Sequence, residues 1–218
     1  MIKAELKNII IGMDIGKKRD YSAIVLLEKY QDYGHDAFEG KNEVGKPFYH
    51  LTHLEQLPLG TMHTVQVAHV NEIVKLAMEY YEKKPILVID SSGVGDHHFD
   101  SFMELGVNVY GVTIHGGQNI TYSKRVYNVG KESLKACLEV LMENRRIMFA
   151  EDLPFRTQLI KELMTFSWKQ TDTGHFKFEH LKSGDKDDVV MALMVAAWFA
   201  EKGLREVKAS NLKRKLGL

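Results

Sequence analysis

Residues 8–16 read NIIIGMDIG, and residues 20–27, which read DYSAIVLL, follow them after a short basic turn. A continuous apolar run bounded by glycine is typical of a central strand that is covered on both faces of a sheet. We therefore predict a buried strand that ends at Asp14 and a second, antiparallel strand over residues 21–28. An ionised carboxylate is costly to bury, so Asp14 is either a turn cap toward Gly16 or a functional group.

The composition is that of an ordinary globular protein of 218 residues with a formal net charge of zero. This length suits one large domain with its own hydrophobic core. No apolar run approaches the ~18 residues of a membrane helix, and the N-terminus does not read as a signal peptide. The single cysteine, Cys137, lies among leucines at helical spacing and is predicted to be a core thiol in an intracellular protein.

The charge is unevenly distributed along the chain, although the total is balanced. We expect a globular domain over residues 1–202 and a basic tail over residues 203–218, because the tail carries five basic residues against one acid. Such a tail is typical either of a solvated helix end or of a binding arm. The net charge of the whole chain does not by itself indicate a nucleic-acid partner.

Hydrophobic periodicity predicts the remaining elements. Strands are expected over residues 47–57, 86–89 and 107–113, with one helix capped by Thr61 or Thr64 and another over residues 96–105. After a loop at residues 115–123, a long helix is predicted with Val129 among its inward residues and Lys131 and Lys135 outward. A further helix begins at Pro154, and its predicted buried stripe is Leu159, Ile160 and Leu163.

The last part of the chain contains two strong local patterns. Strict alternation on both sides of residues 171–174 predicts a two-stranded hairpin over residues 165–179. Residues 189–199 form a helix that is apolar nearly all round, so we expect it to be buried against the sheet. The helix is preceded by Asp187 and Asp188, which could be N-terminal caps. Adjacent carboxylates repel one another, however, unless a cation lies between them.

Three elements thus present acids: the first strand at Asp14, the strand over residues 86–89 at Asp90, and the last helix at Asp187 and Asp188. If the two strands are neighbours, both carboxylates lie at the same edge of the sheet, where the helix can join them. Clustered carboxylates favour a hard cation such as Mg²⁺ or Mn²⁺. A pair of such ions about 3.5–4 Å apart activates water and stabilises the leaving oxygen in phosphodiester cleavage.

This ordered set of acids resembles the ribonuclease-H-like superfamily, and more closely the nuclease domain of viral terminase large subunits, the DNA-packaging motors of tailed phages. The matching segments are residues 13–14 with 20–23, residues 88–90 with 93–96, and residues 186–193. The likeness covers about residues 8–200. It implies an α/β fold with a mixed central sheet, helices on both faces, and a β-hairpin near the active site.

Carried over to this sequence, the resemblance implies that Asp14, Asp90 and Asp188 hold two Mg²⁺ or Mn²⁺ ions. Asp20 and Asp187 would be auxiliary carboxylates. The predicted hairpin corresponds to one that lies against DNA in the family. The basic residues expected to reach phosphates are, beside Asp14, Lys17, Lys18 and Arg19, and, in or near the hairpin, Lys169, Lys177, Lys182 and Lys186.

The resemblance also implies an activity and its setting. We expect an endonuclease that cuts double-stranded DNA with little sequence preference, freeing packaged genomes from a concatemer in the cytoplasm of an infected or lysogenic host cell. Its implied partners are a packaging ATPase domain, a small terminase subunit and a portal, with no membrane. The chain contains no G-x-x-x-x-G-K-[ST] loop, so motor activity is not assigned to it.

Three alternatives remain open at this point. A Holliday-junction resolvase-like nuclease would have the same fold and would need a dimer and a branched substrate. An actin-like sugar kinase also opens on a strand of the form found at residues 12–16, but it needs a second phosphate loop and usually a longer chain. A non-catalytic DNA-docking module would keep the acids only as caps.

Overall fold

The structure of the protein is a computed structural model that describes residues 3–16, 20–35, 42–93, 95–170, 176–180 and 187–204. Within these ranges the main sheet has nine strands: β1 (Lys3–Asp14), β2 (Ser22–His35), β3 (Asn42–Val44), β4 (Phe48–Leu57), β5 (Ile86–Asp90), β6 (Val109–His115), β7 (Thr121–Ser123), β8 (Val126–Gly130) and β9 (Ile147–Phe149). A separate hairpin consists of β10 (Phe166–Gln170) and β11 (Phe176–His180).

Five α-helices accompany the strands in the described part of the chain: α1 (His63–Tyr81), α2 (Gly95–Glu104), α3 (Lys131–Glu143), α4 (Arg156–Thr165) and α5 (Asp188–Trp198). A π-helical turn, Phe199–Gly203, continues α5. None of the helices in the described ranges is both long enough and apolar enough to span a membrane.

The sheet is mixed, with the order β7-β8-β6-β5-β1-β2-β4-β9, and β3 pairs with β2. The first strand lies at its centre, antiparallel to β2 and parallel to β5. The neighbouring strands β5, β6 and β8 run parallel to one another; β5 and β6 are connected through α2, whereas the connection from β6 to β8 contains the short strand β7. The prediction that β1 and β5 are neighbours is therefore confirmed.

Each face of the sheet has its own hydrophobic core. On one face, α5 packs against the sheet, α3 and α4 pack against α5, and all residues of α5 are buried. On the other face, α1 and α2 cover residues such as Ile11, Met13 and Ile89. A strand buried on both sides needs apolar residues at consecutive positions, which is why β1 and β5 read as continuous apolar runs. Cys137 is buried in the first of these cores, as predicted.

Several local predictions are wrong. Neither Thr61 nor Thr64 caps α1: the residue before the helix is Met62, which makes no side-chain cap, and the Thr61 hydroxyl instead donates to the Pro58 carbonyl at 2.6 Å. Val129 lies in β8 rather than in the following helix, because this short strand runs into α3 without an intervening turn. The predicted loop at residues 115–123 includes β7, a three-residue edge strand.

Two side chains are also placed differently from the prediction. Ile160 is 43% exposed, and the buried positions of α4 include Leu159 and Glu162. Lys135, predicted to point outward, is buried and pairs with Glu139 at 3.1 Å. The hairpin and the all-apolar last helix are confirmed. Of the predicted basic tail at residues 203–218, residues 205–218 lie outside the described part of the chain.

Candidate functional site

Asp14 and Asp90 are the last residues of two adjacent parallel strands. The register of β1 and β5 pairs Met13 with Ile89, so the two aspartates follow at equivalent positions. Parallel strands end at the same edge of a sheet, and this edge therefore carries two carboxylates side by side.

The alternation of side chains decides which face these carboxylates occupy. Ile10 and Val88 belong to the core under α5, and side chains two residues apart along a strand share a face. Counting in steps of two from Ile10 reaches Asp14, and from Val88 it reaches Asp90. Both aspartates thus lie on the face of the sheet that α5 covers.

Gly12 allows α5 to approach β1 unusually closely. A Cβ atom at this position would lie 2.5 Å from the Ala192 carbonyl oxygen and 2.7 Å from the Ala196 Cβ. A larger residue at Gly12 would push the helix away. Asp188 precedes Ala192 by one helical turn, so the close contact brings the N-terminus of α5 toward the end of β1, where Asp14 lies.

The two acids at the start of α5 have different environments. Asp188 is the first residue of the helix and is only 6% exposed. Asp187 precedes it, and its backbone carbonyl accepts the N–H of Met191 at 2.8 Å, but its side chain makes no capping hydrogen bond. Its Oδ2 instead lies 3.3 Å from the Lys131 Nζ. The side chain of Asp187 is therefore not a helix cap.

The electrostatics place four carboxylates in one group, which we call the acid cluster: Asp14, Asp90, Asp187 and Asp188. The pKa of Asp14 is raised well above its ordinary value, firstly by burial and then by the negative charges of the other three, in the order Asp90, Asp188 and Asp187. Because Coulomb interactions weaken with distance, all three lie near Asp14. Like charges this close favour protonation or a bound cation.

Asp90 has a structural role as well as its place in the cluster. Its Oδ1 accepts the backbone N–H of Ser92 at 2.8 Å, an arrangement typical of aspartates in turns. Burial raises the pKa of Asp90, while the hydrogen bonds from Ser92 and the positive charge of Lys131 act in the opposite direction. The carboxylate is thus fixed at the strand end by a local bond.

Asp14 does not cap the turn that follows it through the amide of Gly16. That N–H donates to the Ser22 Oγ at 3.1 Å, and the Ser22 hydroxyl in turn donates to the Gln66 Oε1 at 3.2 Å. The His98 Nε2 lies 3.1 Å from the same Gln66 oxygen. Ser22 therefore accepts the Gly16 N–H that a turn cap would accept, and Asp14 does not act as the cap of this turn.

Two charged residues next to the cluster were not predicted from the sequence. Lys131, the first residue of α3, is the cation that lowers the pKa of both Asp14 and Asp90. Lys131 is far from these acids in the sequence, so its position in the sequence does not predict the contact. The only local signal is a lysine in the first turn of a helix, where a positive charge is unfavourable.

Glu162 is the second unpredicted residue. It is 4% exposed, its Oε2 accepts the backbone N–H of Val190 at 3.0 Å, and its Oε1 accepts a hydrogen bond from the Gln158 amide at 2.9 Å. A carboxylate from α4 therefore satisfies a free amide in the first turn of α5. Burial, with a further contribution from Asp188 and Asp187, raises the pKa of Glu162 to about 7. Its position three residues after Leu159 is the signal that could have placed it on the buried side of α4.

The chemistry of the acid cluster fits a hard divalent cation, since carboxylate oxygens are the ligands that Mg²⁺ and Mn²⁺ prefer. Burial is the largest cause of the raised pKa of Asp14, the three neighbouring acids raise it further, and Lys131 acts in the opposite direction. Across the ranges that the structure describes, no three His, Cys, Asp or Glu side chains are arranged as a ready-made metal site. The donor types therefore fit, while the coordination geometry would require the mutually repelling side chains to converge.

The structure describes the remaining predicted site residues only in part. Asp20 is exposed in the turn before β2, where its carbonyl lies against Gly16. Lys169 and Lys177 face each other in the register of the hairpin, but only their backbone is described. The other five predicted phosphate-binding residues lie outside the described ranges: Lys17, Lys18, Arg19, Lys182 and Lys186.

No protein-family model matches the sequence, and no curated protein matches it significantly. Solved structures do match. The large terminase nuclease from thermophilic phage G20c is 25% identical, with a TM-score of 0.55 over 87% of this chain and 80% of that one. The same nuclease with bound magnesium has the same identity and coverage and a TM-score of 0.56.

A human cytomegalovirus terminase nuclease domain is also similar in structure. It has a TM-score of 0.53 over 89% of this chain and 85% of that one. At 9% identity, this likeness shows the fold alone. Together these structures confirm the predicted resemblance and the predicted α/β architecture.

Proposed function

We propose that this chain, which has the ribonuclease-H-like fold of large terminase nuclease domains, is a nuclease that acts in viral genome packaging. More specifically, we propose a metal-dependent endonuclease that cuts double-stranded DNA with little sequence preference and separates genomes from a concatemer. The observation that carries this proposal is the acid cluster, in which three further carboxylates act on the half-buried Asp14.

The proposed roles follow from the positions of the acids. Asp14 and Asp90 are fixed by adjacent strands, and Asp188 is fixed by the buried start of α5. These three would hold the divalent ions. Asp187, paired with Lys131, and the exposed Asp20 would be auxiliary carboxylates. The magnesium-bound G20c nuclease supports a divalent ion at a site of this fold.

Asp14, Asp90 and Asp188 would hold two divalent ions, which would supply an activated water and stabilisation of the leaving oxygen for phosphodiester hydrolysis. The contribution of the protein is to hold the ligands in place. The bond from Ser92 fixes the carboxylate of Asp90, the close contact at Gly12 fixes the start of α5, and Glu162 satisfies an amide of its first turn. None of these residues needs to react with the substrate.

We propose that DNA lies across the open edge of the sheet beside the acid cluster. Phosphate contacts would come from the seven basic residues predicted above, on the turn after Asp14 and around the hairpin. The proposed partners are a packaging ATPase domain, a small terminase subunit and a portal. The proposed ions are Mg²⁺ or Mn²⁺, and the proposed location is the host cell cytoplasm.

Cleavage of linear duplex DNA and of a four-way junction of the same sequence, compared at equal strand concentration, tests this proposal. We expect Mn²⁺-dependent cleavage of both substrates at similar rates, by a protein that is monomeric in sedimentation. Strong preference for the junction together with a dimer would instead support a resolvase-like nuclease. If Mn²⁺ changes neither the melting temperature nor the tryptophan fluorescence, a non-catalytic docking module is the better account.

A further inference from the structure

Lys131 is the positive charge that lies against the acid cluster. Its Nζ is 3.3 Å from the Asp187 Oδ2, and the two side chains are only 29% and 24% exposed. Ion pairs that are shielded from water are screened less by salt than pairs on the surface. The contact joins the start of α3 to the start of α5, two elements that are 56 residues apart along the chain.

The position of Lys131 within its own helix is unfavourable. It is the first residue of α3, and the preceding Gly130 provides no side-chain cap. The free amides and the dipole at a helix N-terminus favour anions and disfavour cations. Local rules that are broken in this way are typical of sites where another requirement dominates. Here the requirement is the negative charge of the neighbouring cluster.

The charge of Lys131 also acts beyond its contact with Asp187. Its positive charge also reaches Asp14 and Asp90, which lie on different strands. One ammonium group thus influences several acids of the cluster from the side where α3 begins. A divalent ion among the same carboxylates would experience repulsion from it, because both are positive.

We propose that Lys131 is the built-in counter-cation of the acid cluster, and that it weakens divalent-ion binding by competing for the same negative charge. The inference rests on the proposed metal-dependent function. By pairing with Asp187, Lys131 also leaves Asp188 as the acid of α5 that completes the ion site. Lys131 is therefore a positioning residue, and its effect is on ion affinity.

Isothermal titration calorimetry with Mn²⁺ on the full chain tests this proposal without using activity. We expect Lys131→Met to bind Mn²⁺ about tenfold more tightly than the unmodified protein, because a repelling unit charge has been removed. Lys131→Arg keeps the charge and should keep the original affinity. Lys135→Met is the matched control, because Lys135 is one turn further along α3 and pairs with Glu139.

A second measurement is the thermal melt. Without divalent ions, Lys131→Met should melt at a lower temperature, since the cluster has lost its counter-charge, and saturating Mn²⁺ should restore the melting temperature. If Lys131→Met does not fold, Lys131→Gln, which keeps a hydrogen-bond donor toward Asp187, should show the same tightening.

Unchanged or weaker Mn²⁺ binding by the neutral variants would overturn the inference, provided that the unmodified protein binds Mn²⁺ and Asp14→Asn does not. Equal tightening by Lys135→Met would also overturn it, because the effect would then be general to the charge of α3. If the unmodified protein binds no Mn²⁺ at all, the proposed metal-dependent function fails and the inference fails with it.

Discussion

Asp14 and Asp90 end adjacent parallel strands, and both carboxylates lie on the sheet face that α5 covers. This relationship follows from one register and from the alternation of side chains, so it does not depend on a flexible loop. It brings two acids that are 76 residues apart to one edge of the sheet, and the start of α5 adds two more.

Asp14→Asn should stabilise the protein at about pH 8 in the presence of chelator, because it removes a carboxyl whose ionised form is disfavoured in the folded state. The folded state raises the pKa of Asp14 above its ordinary value of 3.8. The protonated carboxyl therefore contributes its full share to the free energy of unfolding below about pH 4. That contribution is lost as the pH rises toward the folded-state pKa. Urea unfolding at several pH values measures this change, and we expect a flatter pH dependence in the variant. A less stable variant with the same pH dependence would contradict the assigned charge repulsion.

Gly12→Ala should lower the free energy of unfolding by about 1–3 kcal/mol, because the added methyl group meets the backbone of α5. We also expect weaker stabilisation by Mn²⁺, since the start of α5 must move away from Asp14. Gly116→Ala is the matched control, because a Cβ there would contact nothing within 4 Å. Thermal melts with and without Mn²⁺ measure both effects. Equal stability of the two variants would show that α5 does not depend on this close contact.

Glu162→Ala and Glu162→Gln should differ. The alanine variant loses the acceptor for the Val190 amide, at a cost of about 0.5–2 kcal/mol. The glutamine variant keeps an acceptor without the charge. Because the folded-state pKa of Glu162 is about 7, above its ordinary value of 4.5, the protein should lose stability between those two pH values as this carboxyl ionises.

The glutamine variant should therefore lose less stability across that range, as measured by chelator-treated melts from about pH 4 to pH 8. Glu143→Gln, which changes an exposed acid at the end of α3, is the control and should leave the pH dependence unchanged. Identical pH profiles for Glu162→Gln and the unmodified protein would refute the role assigned to this carboxyl.

Asp188→Asn and Asp187→Asn should separate the two acids of α5. Asp188 is buried beside Asp14, whereas the side chain of Asp187 pairs with Lys131. We expect Asp188→Asn to lose Mn²⁺ binding and DNA cleavage, and Asp187→Asn to keep measurable amounts of both. Calorimetry and a cleavage assay on the two purified variants provide the comparison. The reverse order would assign the ion to Asp187.

The elements that carry the acids could be predicted from the sequence because they are buried on both sides. Burial on both faces requires the continuous apolar runs of β1, β5 and α5, and an aspartate at the end of such a run is conspicuous. The hairpin was predictable for a similar reason, since its alternation is local. The placement of Asp14 and Asp90 then needed only the assumption that their strands are neighbours.

The residues that support the cluster could not be predicted in this way. Lys131 and Glu162 contact the start of α5 because α3, α4 and α5 pack together. The spacing of residues in the sequence does not predict that packing. The boundary between β8 and α3 falls at Gly130, where the strand runs directly into the helix, so the periodicity of Val129 resembles that of the helix that follows. The predicted threonine cap of α1 does not form, because the Thr61 hydroxyl donates to the Pro58 carbonyl of the preceding turn. In each case a tertiary or competing local contact overrides the sequence pattern.

The most direct test of the central claim is a supercoiled-plasmid nicking assay with the unmodified protein and Asp14→Asn, each in Mg²⁺, in Mn²⁺ and in chelator. We predict that the unmodified protein nicks and linearises the plasmid with either ion and that chelator abolishes the reaction. Asp14→Asn should be folded but inactive in all three conditions. Cleavage by Asp14→Asn at the unmodified rate, or cleavage that persists in chelator, would contradict a metal-dependent nuclease site built on Asp14.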